Sequence, residues 1–199
     1  MVERGRKARA YVLRAIIPTI MRNTIVCAIL LLACACTRRV SGPIASYIEN
    51  KHGAVFVFLA TDCPLSQNYV PTMNDLSKQF AANGIGFYSV FSQEDLPQKT
   101  LDDFTTSYGM SFSAIRDEQF KLVGYFGATT TPQAFLVDAT GQTLYKGTID
   151  NWAPELGQHR TVITEHYLLN ALESLRDNKP IKVKETPAVG CFIERKNQG

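Results

Sequence analysis

The sequence predicts an α/β fold, a mixed central sheet with helices on both faces, and three observations carry that prediction. Ala54–Ala60 (AVFVFLA) and Ile85–Phe91 (IGFYSVF) are continuous apolar runs of strand length, as expected of strands buried on both faces. A stretch of helical periodicity lies between them, and two more such stretches follow. Two further runs, Gln133–Val137 and Thr143–Gly147, flank Asp138-Ala139-Thr140-Gly141, a hairpin signal. The order strand, helix, strand, helix, strand pair, helix builds a short sheet that needs helical cover on each side.

The chain opens with a segment of different character. Asn23 to Thr37 carries no charge, and its core Ile25–Cys36 (IVCAILLLACAC) lies between Arg22 and Arg38-Arg39. Fifteen residues rise only about 22 Å as a helix, short of the ~30 Å hydrocarbon core, which suits an export signal better than a spanning helix. Leu31-Leu32-Ala33-Cys34 resembles a bacterial lipobox with Cys34 as the lipidated residue, and Ala35-Cys36 is a poorer second choice. Met21 is an alternative start, with residues 1–20 then an extended basic region or an upstream artefact of start choice. A lipoprotein signal, an uncleaved anchor and a cleaved leader stay open, and each places the remainder outside the cytoplasm, where disulfides persist.

In the body, Tyr69, Met73, Leu76 and Phe80 recur at i, i+4, i+7 and i+11 and define a helix that Asn83-Gly84 ends. A second helix is expected over Pro97–Tyr108, with Leu101, Phe104 and Tyr108 on one side and Pro97 in the first turn. The third is expected over Thr164–Arg176, capped by Thr164, striped by Tyr167, Leu168, Ala171, Leu172 and Leu175, and stopped by Asn178 and Pro180. Ile149–Ile163 has no period and reads as a surface loop. The chain thus divides into a leader over residues 1–40, a folded domain over 41–185 and a tail over 186–199 that carries Cys191.

Composition narrows the function classes. The 199 residues carry a net charge of +3, but residues 1–33 hold six Lys/Arg against Glu3, so the remaining 166 residues carry −2. A nucleic-acid binder concentrates basic charge in its folded part, and this chain does not. Five cysteines, with no CxxC, are too few for a disulfide scaffold and lack zinc-site spacing.

Cys63 follows the first buried run and opens the first helix. Helix N-termini present unpaired N–H groups and a partial positive charge, which favour a thiolate. Pro64 suits the first helical position, whereas the Asp62 charge opposes the anion if it lies close, and which influence wins stays open. A reactive thiol and a buried inert cysteine both stay open at this point.

Residues 58–69 (FLATDCPLSQNY) resemble the active-site turn of the thioredoxin superfamily. Pro71 falls eight residues after Cys63, as that family's helix prolines do, and Thr131-Pro132 resembles its cis-proline loop facing the thiol. More narrowly, residues 50–195 resemble exported bacterial redoxin-domain proteins of the AhpC/TSA and TlpA-like groups, through FLATDCPLSQNY, TTTPQAFLVD, YKGTID and AVGCFI. The resemblance implies a three-layer thioredoxin-like fold and a site of Cys63, Thr131 and Pro132. It also departs from the family: Ser66 replaces the second active-site cysteine, and Ala60 stands where peroxiredoxins carry a threonine.

Cys191, in Pro187–Ile193, resembles a resolving cysteine on a mobile arm that folds back to Cys63. An intermolecular bridge and an apolar plug with Phe192 and Ile193 are its alternatives, and Cys36, if unlipidated, is a competing thiol. His52, His159 and His166 are read as solvated or satisfied. A copper-transfer site is disfavoured because Gln67 occupies the second position of the CxxxC such proteins carry. Asp138–Gly141 lacks the ligand spacing of a calcium loop. Trp152 is read as packing on the core, as are Phe56, Phe58, Phe87 and Tyr88. The implied function is an exported, membrane-tethered thiol-disulfide oxidoreductase without cofactor or metal, acting on protein thiols with a redox partner. A peroxiredoxin-like peroxidase and a non-catalytic binding module are the alternatives.

Overall fold

The structure, a computed structural model, describes residues 40–194. The sequence features of the leader, including Cys34, Cys36 and Met21, lie outside the described residues. Among the described residues no helix is long and apolar enough to cross a membrane.

The fold is α/β and thioredoxin-like. Five strands form one mixed sheet in the order β3-β2-β1-β5-β6, namely β1 Gly53–Leu59, β2 Ile85–Phe91, β3 Ser113–Arg116, β5 Gln133–Asp138 and β6 Thr143–Gly147. β1, β2 and β3 run parallel, while β5 lies antiparallel to β1 and β6 antiparallel to β5. The central β1 is buried at every position, as its unbroken apolar run requires, and each Val, Phe or Leu so buried contributes about 1.5–3 kcal/mol. The hairpin expected at Asp138–Gly141 forms, with Asp138 Oδ1 accepting from the N–H groups of Thr140 and Gln142.

Strand alternation sorts the core into two faces. Val55, Val57 and Leu59 of β1, with Ala134 and Leu136 of β5, meet the expected helices: α2 Pro64–Phe80, α3 Gln98–Ser107 and α5 Tyr167–Arg176. All three lie on this one face. The opposite face, built on Ala54, Phe56, Phe58, Phe135 and Val137, is covered instead by the short helices α1 (Ala45–Ile48) and α4 (Lys121–Phe126). Neither is long enough to display a helical period. Asp117, buried, organises α4 by accepting hydrogen bonds from the N–H groups of Leu122 and Val123 and from Ser92 Oγ.

Three local expectations are corrected. α5 begins at Tyr167, with His166 at its cap; Thr164 instead exchanges hydrogen bonds with the Asn151 side chain. Pro97 stands at the cap of α3 rather than in its first turn. The segment from Ile149 is not surface loop throughout, since Ile149, Asp150 and Ala153 are buried and Asp150 accepts a 2.6 Å hydrogen bond from Tyr69 Oη. Trp152 packs on the core beside Tyr69 and stacks on His159. Phe56, Phe58 and Phe87 are buried, and Tyr88, half-buried, donates its hydroxyl to the Tyr47 carbonyl.

The C-terminal segment is docked on the domain. Thr186 N–H donates to the Lys146 carbonyl of β6, and β7 (Cys191–Phe192) pairs antiparallel with β4 (Thr130–Thr131).

Candidate active site

The register of the sheet creates the site. Phe58 of β1 pairs with Gln133 of the antiparallel β5, so the chain leaving β1 and the chain entering β5 emerge at the same edge. Cys63 and Thr131, 68 residues apart, therefore meet: the Cys63 thiol donates to the Thr131 carbonyl at 3.2 Å. This edge is the carboxyl end of β1 and β2, where open α/β sheets place their ligands. The Thr131–Pro132 peptide is cis.

Cys63 is the N-cap of α2, with Pro64 at the first helical position, as the sequence anticipates. Its neighbours hold the turn rigid. Gln93, just past β2, accepts from the N–H and hydroxyl of Thr61 and donates to Asp62, while Gln67 donates its side-chain amide to the Thr61 carbonyl. Pro71 lies inside α2 and cannot donate to the Gln67 carbonyl one turn earlier.

Cys63 is only 1% exposed, yet its sulfur faces polar groups. Burial opposes its ionisation, but the Cys191 thiol, the Ser66 N–H and hydroxyl, and the Cys191 N–H favour the anion, and together they hold the Cys63 thiol below its ordinary value. No cap hydrogen bond closes on the neutral sulfur; the Ser66 groups act on its charge. Ser66, fully buried, takes up the Ala60 N–H on its oxygen at 3.1 Å and so keeps its own proton for the sulfur. Read from sequence, Ser66 is only a missing cysteine; its position at the third helical residue was the available signal that its N–H and hydroxyl face the cap.

Cys191 stands over Cys63, its thiol donating to the Cys63 sulfur at 2.8 Å, longer than the ~2.05 Å of a disulfide bond. Both thiols are free. Cys191 is pushed up to about 11, by burial first and then by the hydrogen bond and charge of Cys63 and the charge of Asp62. The question left open by Asp62 is answered on the side of the anion: its charge bears on Cys191, and Cys63 is lowered. Beside the sulfurs opens a cleft of about 510 Å³ lined by residues including Ala60, Asp62, Gln93, Thr131 and Phe192, the last 79% exposed.

The structure therefore brings Cys63, Thr131 and Cys191 together, with Pro132 next in the chain. The histidines stand in other settings: the His52 backbone N–H donates to the Gly84 carbonyl, His159 stacks on Trp152, and His166 occupies the N-cap position of α5.

Known proteins share this framework. An uncharacterized conserved protein from Geobacillus kaustophilus superposes with a TM-score of 0.69 at 20% identity, covering 77% of this chain and 82% of that one. A hypothetical protein from Sinorhizobium meliloti 1021 superposes with a TM-score of 0.67 at 19% identity, covering 76% and 84%. At these identities the likeness is one of fold. Among curated proteins, the thiol-disulfide oxidoreductase ResA of Bacillus thuringiensis (strain Al Hakam) is 27% identical over 93 residues, 46% of this chain. ResA of Halalkalibacterium halodurans is 26% identical over 95 residues, 48% of this chain. The chain spans about half the length of the curated relatives it matches, 52% in each case. Residues 42–146, which hold the thiol turn, the Thr131–Pro132 loop and the sheet that joins them, match the AhpC/TSA model, and the chain belongs to the AhpC/TSA family.

Proposed function

We propose that the protein is a thiol-disulfide oxidoreductase in which Cys63 is the nucleophile and Cys191 the resolving thiol. The observation that carries this is the 2.8 Å approach of two free thiols of opposite character, one held below its ordinary value and one pushed up to about 11. The Cys63 thiolate attacks one sulfur of a substrate disulfide; the S–S bond breaks, and the departing thiolate takes the electron pair and a proton. A mixed disulfide on Cys63 remains. Its formation removes the charge and hydrogen bond that hold Cys191 up, so Cys191 ionises more readily once it is needed. Cys191 then attacks Cys63 Sγ and expels the second substrate thiolate. Two electrons and two protons pass to the substrate, and the protein keeps a Cys63–Cys191 disulfide. Return to the dithiol requires a dithiol partner, and the same steps reversed oxidise a client. Pro132 and Thr131 shape the substrate face.

Oxidised glutathione with the reduced full chain tests this. The expected product is a Cys63–Cys191 disulfide by peptide mapping, with both glutathiones released reduced. Both thiols still open to alkylation after equilibration would overturn it.

A second reading, a thiol peroxidase, is favoured by the burial of Cys63, 1% exposed, which admits a small oxidant more readily than a folded protein. The Cys63 thiolate would attack one peroxide oxygen, the O–O bond breaking with the other oxygen leaving as water and Cys63 becoming a sulfenic acid; the Cys191 thiol would then condense with it, forming the Cys63–Cys191 bond and releasing a second water. A reaction with hydrogen peroxide no faster than that of free cysteine removes this reading. Export and membrane attachment through a lipid on Cys34 rest on the uncharged Asn23–Thr37 segment and its lipobox-like end; an unmodified N-terminus at Met1 or Met21, by intact mass of membrane-extracted protein, would exclude the lipid.

A further inference from the structure

We infer that Gly190 is the positioning residue for resolution: the absence of a side chain there lets the tail press on the Thr131–Pro132 peptide and sets Cys191 over Cys63. This rests on the two-thiol reading above. A Cβ at position 190 would lie 2.0 Å from the Thr131 carbonyl oxygen, 2.6 Å from its carbon and 3.1 Å from Pro132 N. All three are backbone atoms, so no rotamer relieves the contact. Gly190 lies outside the left-handed region, so space and not backbone conformation demands glycine. The carbonyl it touches is the one that accepts the Cys63 thiol. Gly190, Thr131, Cys63 and Cys191 thus form one contact set.

Besides the glycine, only short elements hold this end of the tail. β7 pairs its two residues antiparallel with β4, Ile193 just beyond it donates its N–H to the Thr129 carbonyl at 2.9 Å and packs on the second-face core, and a long 3.4 Å contact runs from Thr131 Oγ1 to the Cys191 carbonyl. The other end of the tail is anchored separately. Thr186 Oγ1 lies 2.8 Å from Tyr145 Oη and accepts from Thr148 N–H, against Gly147, whose φ of +144° and missing Cβ admit it. A side chain at 190 therefore lifts the far end of the tail and leaves the domain intact. C···O contacts settle at ~3.3 Å or more, so the lift is roughly 1 Å.

The test follows oxidised glutathione reacting with the full-length Gly190→Ala chain. The first step, attack by Cys63, is expected to proceed at least as fast as in wild type, because its cover has loosened. Resolution by Cys191 is expected to slow by about 100-fold, since a 1 Å misplacement of reacting groups costs on that order. The glutathione–Cys63 mixed disulfide then accumulates. Ile193→Pro removes the bond to Thr129 without touching the Thr131–Pro132 peptide, and its resolution is expected to slow less. Resolution at the wild-type rate in Gly190→Ala, equal slowing of both steps, equal loss in the two variants, or failure of Gly190→Ala to fold would each overturn the inference. Wild type that forms no Cys63–Cys191 disulfide would instead overturn the two-thiol reading itself, and this inference with it.

Discussion

Cys63 stands between a strand buried on both faces and a helix of 17 residues, whereas Cys191 rides on a strand of two residues beside an exposed Phe192. The first thiol is held by a framework whose every element is secured elsewhere: β1 by its two neighbours, α2 by Tyr69, Val70, Met73 and Phe80 in the core, and the turn by Gln93 and Gln67. The second is held by a two-residue pairing with β4, by Ile193 beyond it, by the Thr186 anchor and by a glycine. The contrast separates the two demands of exchange chemistry. A nucleophile needs a fixed electrostatic setting, and a resolving thiol needs to leave when substrate arrives and return when the mixed disulfide has formed.

Removing each thiol breaks the comparison most severely. With oxidised glutathione, Cys63→Ser is expected to release none of the reduced product, while Cys191→Ser is expected to release the first glutathione but not the second, stalling as a mixed disulfide visible by intact mass. Identical behaviour of the two variants would show that the sulfurs are not divided between attack and resolution.

Ser66→Ala sharpens the account of the fixed side. It deletes a hydroxyl that favours the Cys63 anion, so the pH midpoint of Cys63 alkylation is expected to move upward toward the ordinary thiol value. It also leaves the buried Ala60 N–H without its acceptor, at a cost of about 1–3 kcal/mol in urea unfolding. An unmoved midpoint would remove Ser66 from the list of groups holding the anion.

The smallest effect is on stability against pH. Cys191, raised in the folded state from an ordinary 9.0 to about 11, contributes stability that is complete below 9.0 and is lost as pH rises through about 11. Cys63, lowered, has the opposite sign: its contribution is present above the ordinary thiol value and is lost as pH falls through the lowered one. The urea midpoint of the reduced protein is expected to decline toward pH ~11 more steeply in wild type than in Cys191→Ala. The effect is small because Cys191 is partly exposed and solvent screens it. Parallel declines would mean that Cys191 is not raised.

Much of this was legible because it is local. The run AVFVFLA, the helical stripe after it and the placement of Cys63 and Pro64 all lie within a short window, and the strand, cap and first-turn positions follow from it. The helices of the second face were not legible: α1 and α4 span four and six residues, too few for a period, and α4 depends on Asp117 accepting hydrogen bonds from its first turn. Gly190 in AVGCFI carries no local signal of its role, since nothing beside it in the chain says which backbone it must approach.

By itself the sequence determined an α/β domain with a thiol at a strand-to-helix turn and a second thiol near the tail, because periodicity, capping and apolar runs act over a few residues. Tertiary structure alone decided that the three long helices share one face, that Thr131 meets Cys63 through the register of β1 and β5, and that Cys191 reaches Cys63 across 128 residues of chain. Such meetings are set by pairing and close approach between distant segments, and no local pattern of residues encodes which distant partner a backbone atom will touch.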